Sequence, residues 1–372
     1  MEFIINKNLL LENLNNVSKA ISSKNLIPVL AGINFSLDSK GLSLTACDNE
    51  IMINAFINKK EIKDIISEGN IIISGKYIVE YIRKLTAEDI HFTVLDGTKV
   101  LIKTNHSELT INGMDSSDFP KWEIEKTVNN FELKVNEYKE IISQTLFAAG
   151  VSETRPIFTG VNFSAEKGLL SCVATDSYRL AKYKINLEKD IDMNIVIPSK
   201  SLSEFNKLLN DNKQKTIGVQ VYVSKIVLNY ENIIFQSKLL SGTYPNTSQL
   251  IPDNYELIFE IKTNEFYQII DRVSLLNMDK EKNTVNLVIK NDIATLTSTS
   301  PELGKAVEQI EITKNNNIDF EISFSSKFML EALKTIKSEK TIIKLNDRLK
   351  PIIIESTDNN HALQLIVPII TY

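Results

Sequence analysis

The chain has 372 residues, 43% of them hydrophobic and 24% charged, with 42 lysines and arginines against 47 aspartates and glutamates for a net charge of -5. That length supports two or three separate cores, and no apolar run reaches the roughly 20 residues that cross a bilayer. The acidic balance argues against a protein that binds polyanions with its whole surface, although basic residues gathered on one face escape that argument.

The opening, MEFIINKNLLLENLNNVSKA, has neither a basic n-region with an unbroken apolar stretch nor a small-residue cleavage site, so a cytoplasmic location is expected. Cys47 and Cys172 are too few and too far apart for a disulfide scaffold or a zinc site, and both read as reduced, partly buried thiols. Just after the first strand-like run, Asn8 precedes an apolar series, Leu10, Leu14 and Val17, whose offsets of 4 and 7 place it on one helix face. The same pattern returns at intervals of 128 residues, as Asn136 with Tyr138, Ile142 and Thr145, and as Asn264 with Phe266, Ile270 and Val273. Each asparagine is expected to be an N-cap, its side-chain oxygen accepting an orphan backbone N–H.

Further along, the stretch from Pro28 to Ser36 matches that from Pro156 to Ser164, and a shortened third version begins at Thr284. A second strand and helix then recur as IIISGKYIVEYIRKL, NIVIPSKSLSEFNKLL and EISFSSKFMLEALKTI, aligning Lys76, Lys200 and Lys327. Two segments, Ser116 to Trp122 and Ser241 to Leu250, each carry an aromatic-Pro pair (Phe119-Pro120 and Tyr244-Pro245) and read as linkers. The expected fold is α+β: three repeated domains, residues 1–125, 126–252 and 253–372, each with two helices packed on a mostly antiparallel sheet. Repeated globular domains of this kind close readily into rings when chains associate head to tail.

Catalytic motifs are missing. The chain has no Walker A, G-x-G-x-x-G, G-x-S-x-G, H-E-x-x-H or CxxC sequence, so no metal, cofactor or catalytic residue is assigned. His91, His106 and His361 read as structural or surface residues. The second helices carry more. Lys76 and Arg83, Lys200 and Lys207, and Lys327 and Lys334 are basic pairs seven residues apart, close to two helical turns. One such pair alone would be an ordinary solvated face; three copies keeping both positions basic favour a stripe that attracts a polyanion without reading sequence.

Comparing copies also isolates what is not shared. Asp176 in ATDSYRLA corresponds to Asp48 and Ser300, a turn-forming position, whereas Tyr178 and Arg179 stand where the other copies have Glu50 and Ile51, and Glu302 and Leu303. The chain ends LIVPIITY, and two readings stay open there: a final core strand, or one wall of an apolar pocket for a partner peptide. On residues alone, a nucleic-acid-processing enzyme and a peptide-binding hub also remain alternatives.

The ATDSYRLA stretch, Ser237-Lys238-Leu239 and Tyr244-Pro245 downstream, the Pro28-Val-Leu start and the Val367-Pro368 end together resemble the bacterial DNA polymerase III beta subunit, the sliding-clamp family, over the whole chain. The resemblance implies that two chains join head to tail as a homodimer, each supplying half of a six-domain ring around duplex DNA. Such a ring is a processivity factor with no active site of its own, and it tethers the replicative polymerase while also receiving the clamp loader and repair proteins. Carried onto matching positions, a peptide groove would comprise Phe158, Thr175, Ser177, Tyr178, Arg179, Leu180, Pro245 and Leu250, with Leu349, Pro351, Leu365, Val367, Pro368 and Ile369. It would receive a short linear motif bearing Gln and apolar or aromatic anchors. The resemblance adds Lys24 and Arg155 to the DNA-facing set, and Pro156 and Ile157 stand where the family has aromatic residues. It places the dimer edge at Tyr81 and the strand around Leu109 in the first domain, against Leu275, Leu276 and the strand around Glu308 in the third.

Overall fold

The computed structural model describes residues 1–22, 27–95, 97–120, 126–152, 154–210, 215–277 and 283–370. The first copy of the repeat runs β1 (Glu2–Asn6), α1 (Lys7–Val17), β2 (Gly32–Asp38), β3 (Gly41–Cys47), β4 (Ile51–Asn58), β5 (Asp64–Ser67), β6 (Gly69–Ser74), α2 (Gly75–Lys84), β7 (Asp89–Val94), β8 (Lys99–Lys103) and β9 (Glu108–Asn112). The second runs β10 (Asn129–Lys134), α3 (Val135–Thr145), β11 (Gly160–Glu166), β12 (Leu169–Thr175), β13 (Arg179–Asn186), β14 (Met193–Pro198), α4 (Ser199–Asn206), β15 (Thr216–Val221), β16 (Lys225–Tyr230) and β17 (Ile233–Lys238). The third runs β18 (Leu257–Lys262), α5 (Thr263–Ser274), β19 (Thr284–Lys290), β20 (Ile293–Ser300), β21 (Gly304–Glu311), β22 (Thr313–Lys314), β23 (Phe320–Ser325), α6 (Ser326–Leu333), β24 (Lys340–Leu345), β25 (Ile352–Ser356) and β26 (Ala362–Ile366).

Each copy therefore has two helices, and its strands pair the same way each time. The first strand joins the meander after the second helix, giving β1-β7-β8-β9, β10-β15-β16-β17 and β18-β24-β25-β26 in spatial order. The strands between the helices form a second set: β6-β2-β3-β4, β14-β11-β12-β13 and β23-β19-β20-β21. All the strand pairs are antiparallel, so alternate residues reach the core and explain the alternating apolar pattern.

The chain divides into two compact units. The first holds Met1–Asn136 with Lys200–Leu239, and the second Glu137–Ser199 with Leu240–Tyr372. Within the first, β17 of copy two pairs with β4 of copy one, fusing two half-sheets into eight strands. Within the second, β26 of copy three pairs with β13 of copy two in the same manner, giving nine strands with β22 at the end. Two half-sheets stay separate, and each ends on an edge strand: β9 in the first unit and β21 in the second.

The helix faces read from the sequence are the buried ones. Leu10, Leu14 and Val17 are fully enclosed, as are Phe266, Ile270 and Val273, and Tyr138, Ile142 and Thr145 are buried too. The caps differ from expectation. Asn8, Asn136 and Asn264 sit inside the first turns of α1, α3 and α5, because each helix starts one residue earlier, directly out of its strand. The side-chain oxygen at the start of α1 comes from Asn6, which accepts from the backbone N–H groups of Asn8 (2.9 Å) and Leu9 (3.3 Å), while Lys262 before α5 offers no such oxygen.

Each of the two segments read as linkers holds one buried aromatic residue, and Lys121 and Trp122 at the end of the first lie outside the described residues. Phe119 is buried with Leu30, Cys47, Met52 and Ile72 in the first unit, and Tyr244 with Val173, Leu180, Val196, Ile353 and Leu365 in the second.

Candidate functional site

Lys76, Lys200 and Lys327 are each the second residue of their helix, and all three are exposed. A lysine in the first turn faces the positive end of the helix dipole, which disfavours it by about 0.3–1 kcal/mol. Three copies keep that unfavourable placement. Seven residues on, Arg83 lies in the last turn of α2, Lys207 just beyond α4 and Lys334 at the C-cap of α6, where a cation is favoured.

The charges are not all uncompensated. Between each pair stands a glutamate, Glu80, Glu204 or Glu331, so the repeat reads Lys, then Glu four residues on, then Lys or Arg three further. Arg83 pairs with Glu80 and also donates to Asn15 (3.1 Å), and Lys207 pairs with Glu204 at 2.7 Å. Lys200 reaches Asp48 (3.5 Å) and Glu50 (3.7 Å). In copy three Glu331 is claimed by Arg179 instead, leaving Lys327 and Lys334 without a carboxylate partner among the described residues. The intervening glutamate was readable in the sequence, since it recurs at the same offset three times.

The second constellation surrounds the turn between β12 and β13. Asp176 Oδ1 accepts from the N–H groups of Tyr178 (2.9 Å) and Arg179 (3.0 Å), as Asp48 does for Glu50 and Ile51 (2.8 Å each), so both aspartates are the turn formers that the repeat suggested. Ser177 holds a left-handed φ of 79°, unusual for a residue with a Cβ. The turn projects Tyr178 outward, leaving it 66% exposed.

Arg179 does not follow it outward; its side chain is buried. Its Nε donates to Asp176 at 2.9 Å, its Nη1 pairs with Glu331, and its guanidinium lies over the rings of Phe328 (4.5 Å) and Phe147 (5.4 Å). Four partners hold this side chain in place; it props the turn from beneath.

Thr175 is buried and donates to the Arg179 carbonyl at 2.6 Å, and Leu180 and Leu365 are buried opposite each other across the β13–β26 pairing. They form the floor of an apolar cluster onto which Phe158 packs, its ring edge-on to Tyr244 at 6.0 Å and 84°. Tyr244, buried enough that its hydroxyl pKa is pushed up, contributes the aromatic body; Pro245 beside it is exposed. Among the remaining assigned positions, Leu250, Leu349 (60% exposed) and Val367 are exposed apolar side chains, Pro351, Pro368 and Ile369 are half-buried, and Ser177 is exposed. The chain end serves both readings at once, because Ala362–Ile366 is a core strand and Val367 beyond it turns outward while its N–H donates to the Tyr178 carbonyl (2.9 Å).

At the two separate edges, Leu109 lies in β9 and is half-buried, Leu275 and Leu276 follow α5 with Leu275 58% exposed, and Tyr81 is half-buried on α2, its hydroxyl pKa raised by burial. Glu308 of β21 is held by Arg272 at 2.8 Å, which lowers its pKa. Arg155 is exposed in the segment before Pro156, and Lys24 lies outside the described residues. The histidines stay apart: His91 pairs with Glu2 at 2.7 Å, and His361 offers its carbonyl to the N–H of Lys184. Both cysteines are buried, Cys47 with a pKa pushed up to about 12 and Cys172 well above its usual value. Among the described residues no group of three or more His, Cys, Asp or Glu could hold a metal ion, and no helix is long and apolar enough to cross a membrane.

Three copies of a two-helix, sheet-backed unit, welded through shared sheets, define an α+β clamp fold. Family models of the DNA polymerase III beta subunit match in sequence order, the N-terminal domain over residues 1–123, the central domain over 132–246 and the C-terminal domain over 248–370. The chain is 36% identical to the beta sliding clamp of Staphylococcus epidermidis over 377 residues and 34% identical to that of Halalkalibacterium halodurans over 381, covering 100% of each chain in both comparisons. The crystal structure of the DNA polymerase sliding clamp from Bacillus subtilis superposes with a TM-score of 0.95 at 34% identity, again over 100% of both chains. The chain belongs to the bacterial DNA polymerase III beta subunit family.

Proposed function

We propose that two copies of this chain close head to tail into a six-domain ring around duplex DNA, tethering the replicative polymerase as a cytoplasmic processivity factor. One observation carries the closure. The meander edge of copy two, β17, pairs with β4 of copy one, and that of copy three, β26, pairs with β13 of copy two. Among the described residues, β9 of copy one is the one meander edge, and β21 of copy three the one strand of the β4 and β13 kind, left without this pairing, so a second chain satisfies both by the same rule. Keeping the register of the internal crossings would set Leu109 opposite Ala306, with Tyr81, Leu275 and Leu276 beside the joint.

In this reading the domains are residues 1–125, 126–252 and 253–372. The basic pairs of the second helices, with Arg155 and Lys24, meet the phosphate backbone, with contacts weak enough to slide. The cluster of Tyr178, Leu180, Tyr244 and Leu365 takes the apolar anchors of a short motif from polymerase, clamp loader or repair proteins, burying area at roughly 25 cal/mol per Å² before ordering costs. Loading would need a separate ATPase, since the sequence carries no nucleotide-binding motif.

The test has two parts. Solution mass should be about twice 42.1 kDa, and Leu109→Cys with Ala306→Cys should crosslink between chains on oxidation. After loading, the protein should stay on circular DNA and run off linear DNA at raised salt. Equal retention on both templates would overturn the ring.

A further inference from the structure

Leu180 and Leu365, on the floor of the apolar cluster, face each other across β13 and β26, and on β13 every second residue returns to the same face. The next two on that face are Lys182 and Lys184, about 7 Å and about 13 Å along at the usual strand rise. Lys182 lies opposite Leu363, and the N–H of Lys184 donates to the His361 carbonyl at 2.9 Å. Around them opens a cleft of about 320 Å³, walled on the apolar side by Ile251 and Leu363, both of which also pack against the cluster. The two sites therefore share a wall.

The charges in this cleft are unbalanced. Both lysines are half-buried, and neither has an ion-pair partner among the described residues. Burial lowers the pKa of Lys182, and Lys184 beside it adds to that lowering. Of the acids on the wall, Glu355 is committed to Lys344 at 2.5 Å and Asp253 sits exposed at the rim. The sheet does not require these lysines, since copy one has Asn54 and Phe56 at the matching positions. Holding two ammonium groups half out of water with no anion is unfavourable, and a carboxylate from outside relieves it.

We propose that the apolar groove continues along β13 into a basic subsite, centred on Lys182 and Lys184, that receives an acidic residue flanking the apolar anchors of a partner peptide. The inference rests on the reading of the neighbouring cluster as a peptide groove. An acidic flank would add selectivity between partners that share the same anchors.

Fluorescence anisotropy on the full chain tests it with a short peptide carrying one glutamine and leucine and phenylalanine anchors, alone or extended by Asp-Asp at either end. One extension should tighten binding about five- to tenfold. That gain should shrink at raised salt and vanish in the Lys182→Gln, Lys184→Gln protein, which should still bind the unextended peptide as before. If neither extension helps, or the gain survives in the double variant, the subsite is refuted. If the double variant loses affinity for duplex DNA while the peptide gain is unchanged, the lysines serve DNA and the proposal also fails. Failure of the unextended peptide to bind the unmodified protein would instead sink the groove itself.

Discussion

In the first unit β17 lies against β4, and in the second β26 lies against β13, with matching registers: Ile51 faces Ser237 as Arg179 faces Ile366. Even the hydrogen bond that ends each crossing is repeated. The N–H of Lys238 donates to the Glu50 carbonyl and that of Val367 to the Tyr178 carbonyl, both at 2.9 Å. What differs is the side chains. Glu50, Ile51, Met52 and Gln236 occupy the first crossing where Tyr178, Arg179, Leu180 and Leu365 occupy the second. Glu50 is drawn to Lys200 across the surface, whereas Tyr178 stands free over an apolar floor. The two joints share their backbone pairing and differ in a few side chains, and under the proposed function only the second of them is a recognition surface.

The largest expected contrast is in stability. Leu365→Ala empties part of the second floor and should lower unfolding free energy by about 2–4 kcal/mol. Gln236→Leu at the matching place in the first unit should be neutral or mildly stabilising, because the Gln236 Oε1 is shielded with no donor among the described residues. Urea titration of both variants decides this, and equal losses would show that the two crossings are not packed alike.

Next, Arg179→Ile, copying Ile51, should lose about 2–3 kcal/mol by stranding Asp176 and the partly exposed Glu331. Lys200→Met in the first unit should stay within about 0.5 kcal/mol, since its pairs are long and its side chain is 58% exposed. Tyr178→Glu should weaken peptide binding at least about tenfold with little change in melting temperature. A purely structural Tyr178 would show the reverse.

On the DNA side, replacing Lys327 and Lys334 with alanine should reduce the salt slope of DNA binding by about two, against about one for Arg83 and Lys207, whose glutamates already neutralise them. The smallest effect is at the thiols. Because folding raises both pKa values, the folded state holds protons that the unfolded chain releases, so their contribution to stability is full below about pH 8.5 and is lost as pH rises. Neither Cys47 nor Cys172 should alkylate in the native protein at pH 8, and rapid labelling of Cys47 would show an open first unit.

The threefold repeat and both helix faces were legible in the sequence, because burial imposes period and the copies repeat it. Helix starts were less so: a helix leaving a strand directly puts its cap two residues before the asparagine that periodicity suggests. The role of Arg179 was hidden for a different reason, since Asp176 is three residues away but Glu331 is 152 away, and only the fold joins them. Tyr244 was visible as half of an aromatic-Pro pair, but the resemblance carries only Pro245 into the groove, and nothing local in the sequence shows that the ring beside it turns inward.

The repeated hydrogen bond at the crossings has a consequence for how such a chain can change. It joins main-chain atoms at Glu50 and Lys238, and at Tyr178 and Val367, so no particular side chain is needed to form it. Substitution at those four positions can alter the surface without disturbing register, and the repeat supplies two such places. One of them can be rewritten for new partners while its twin goes on keeping the halves of a sheet together.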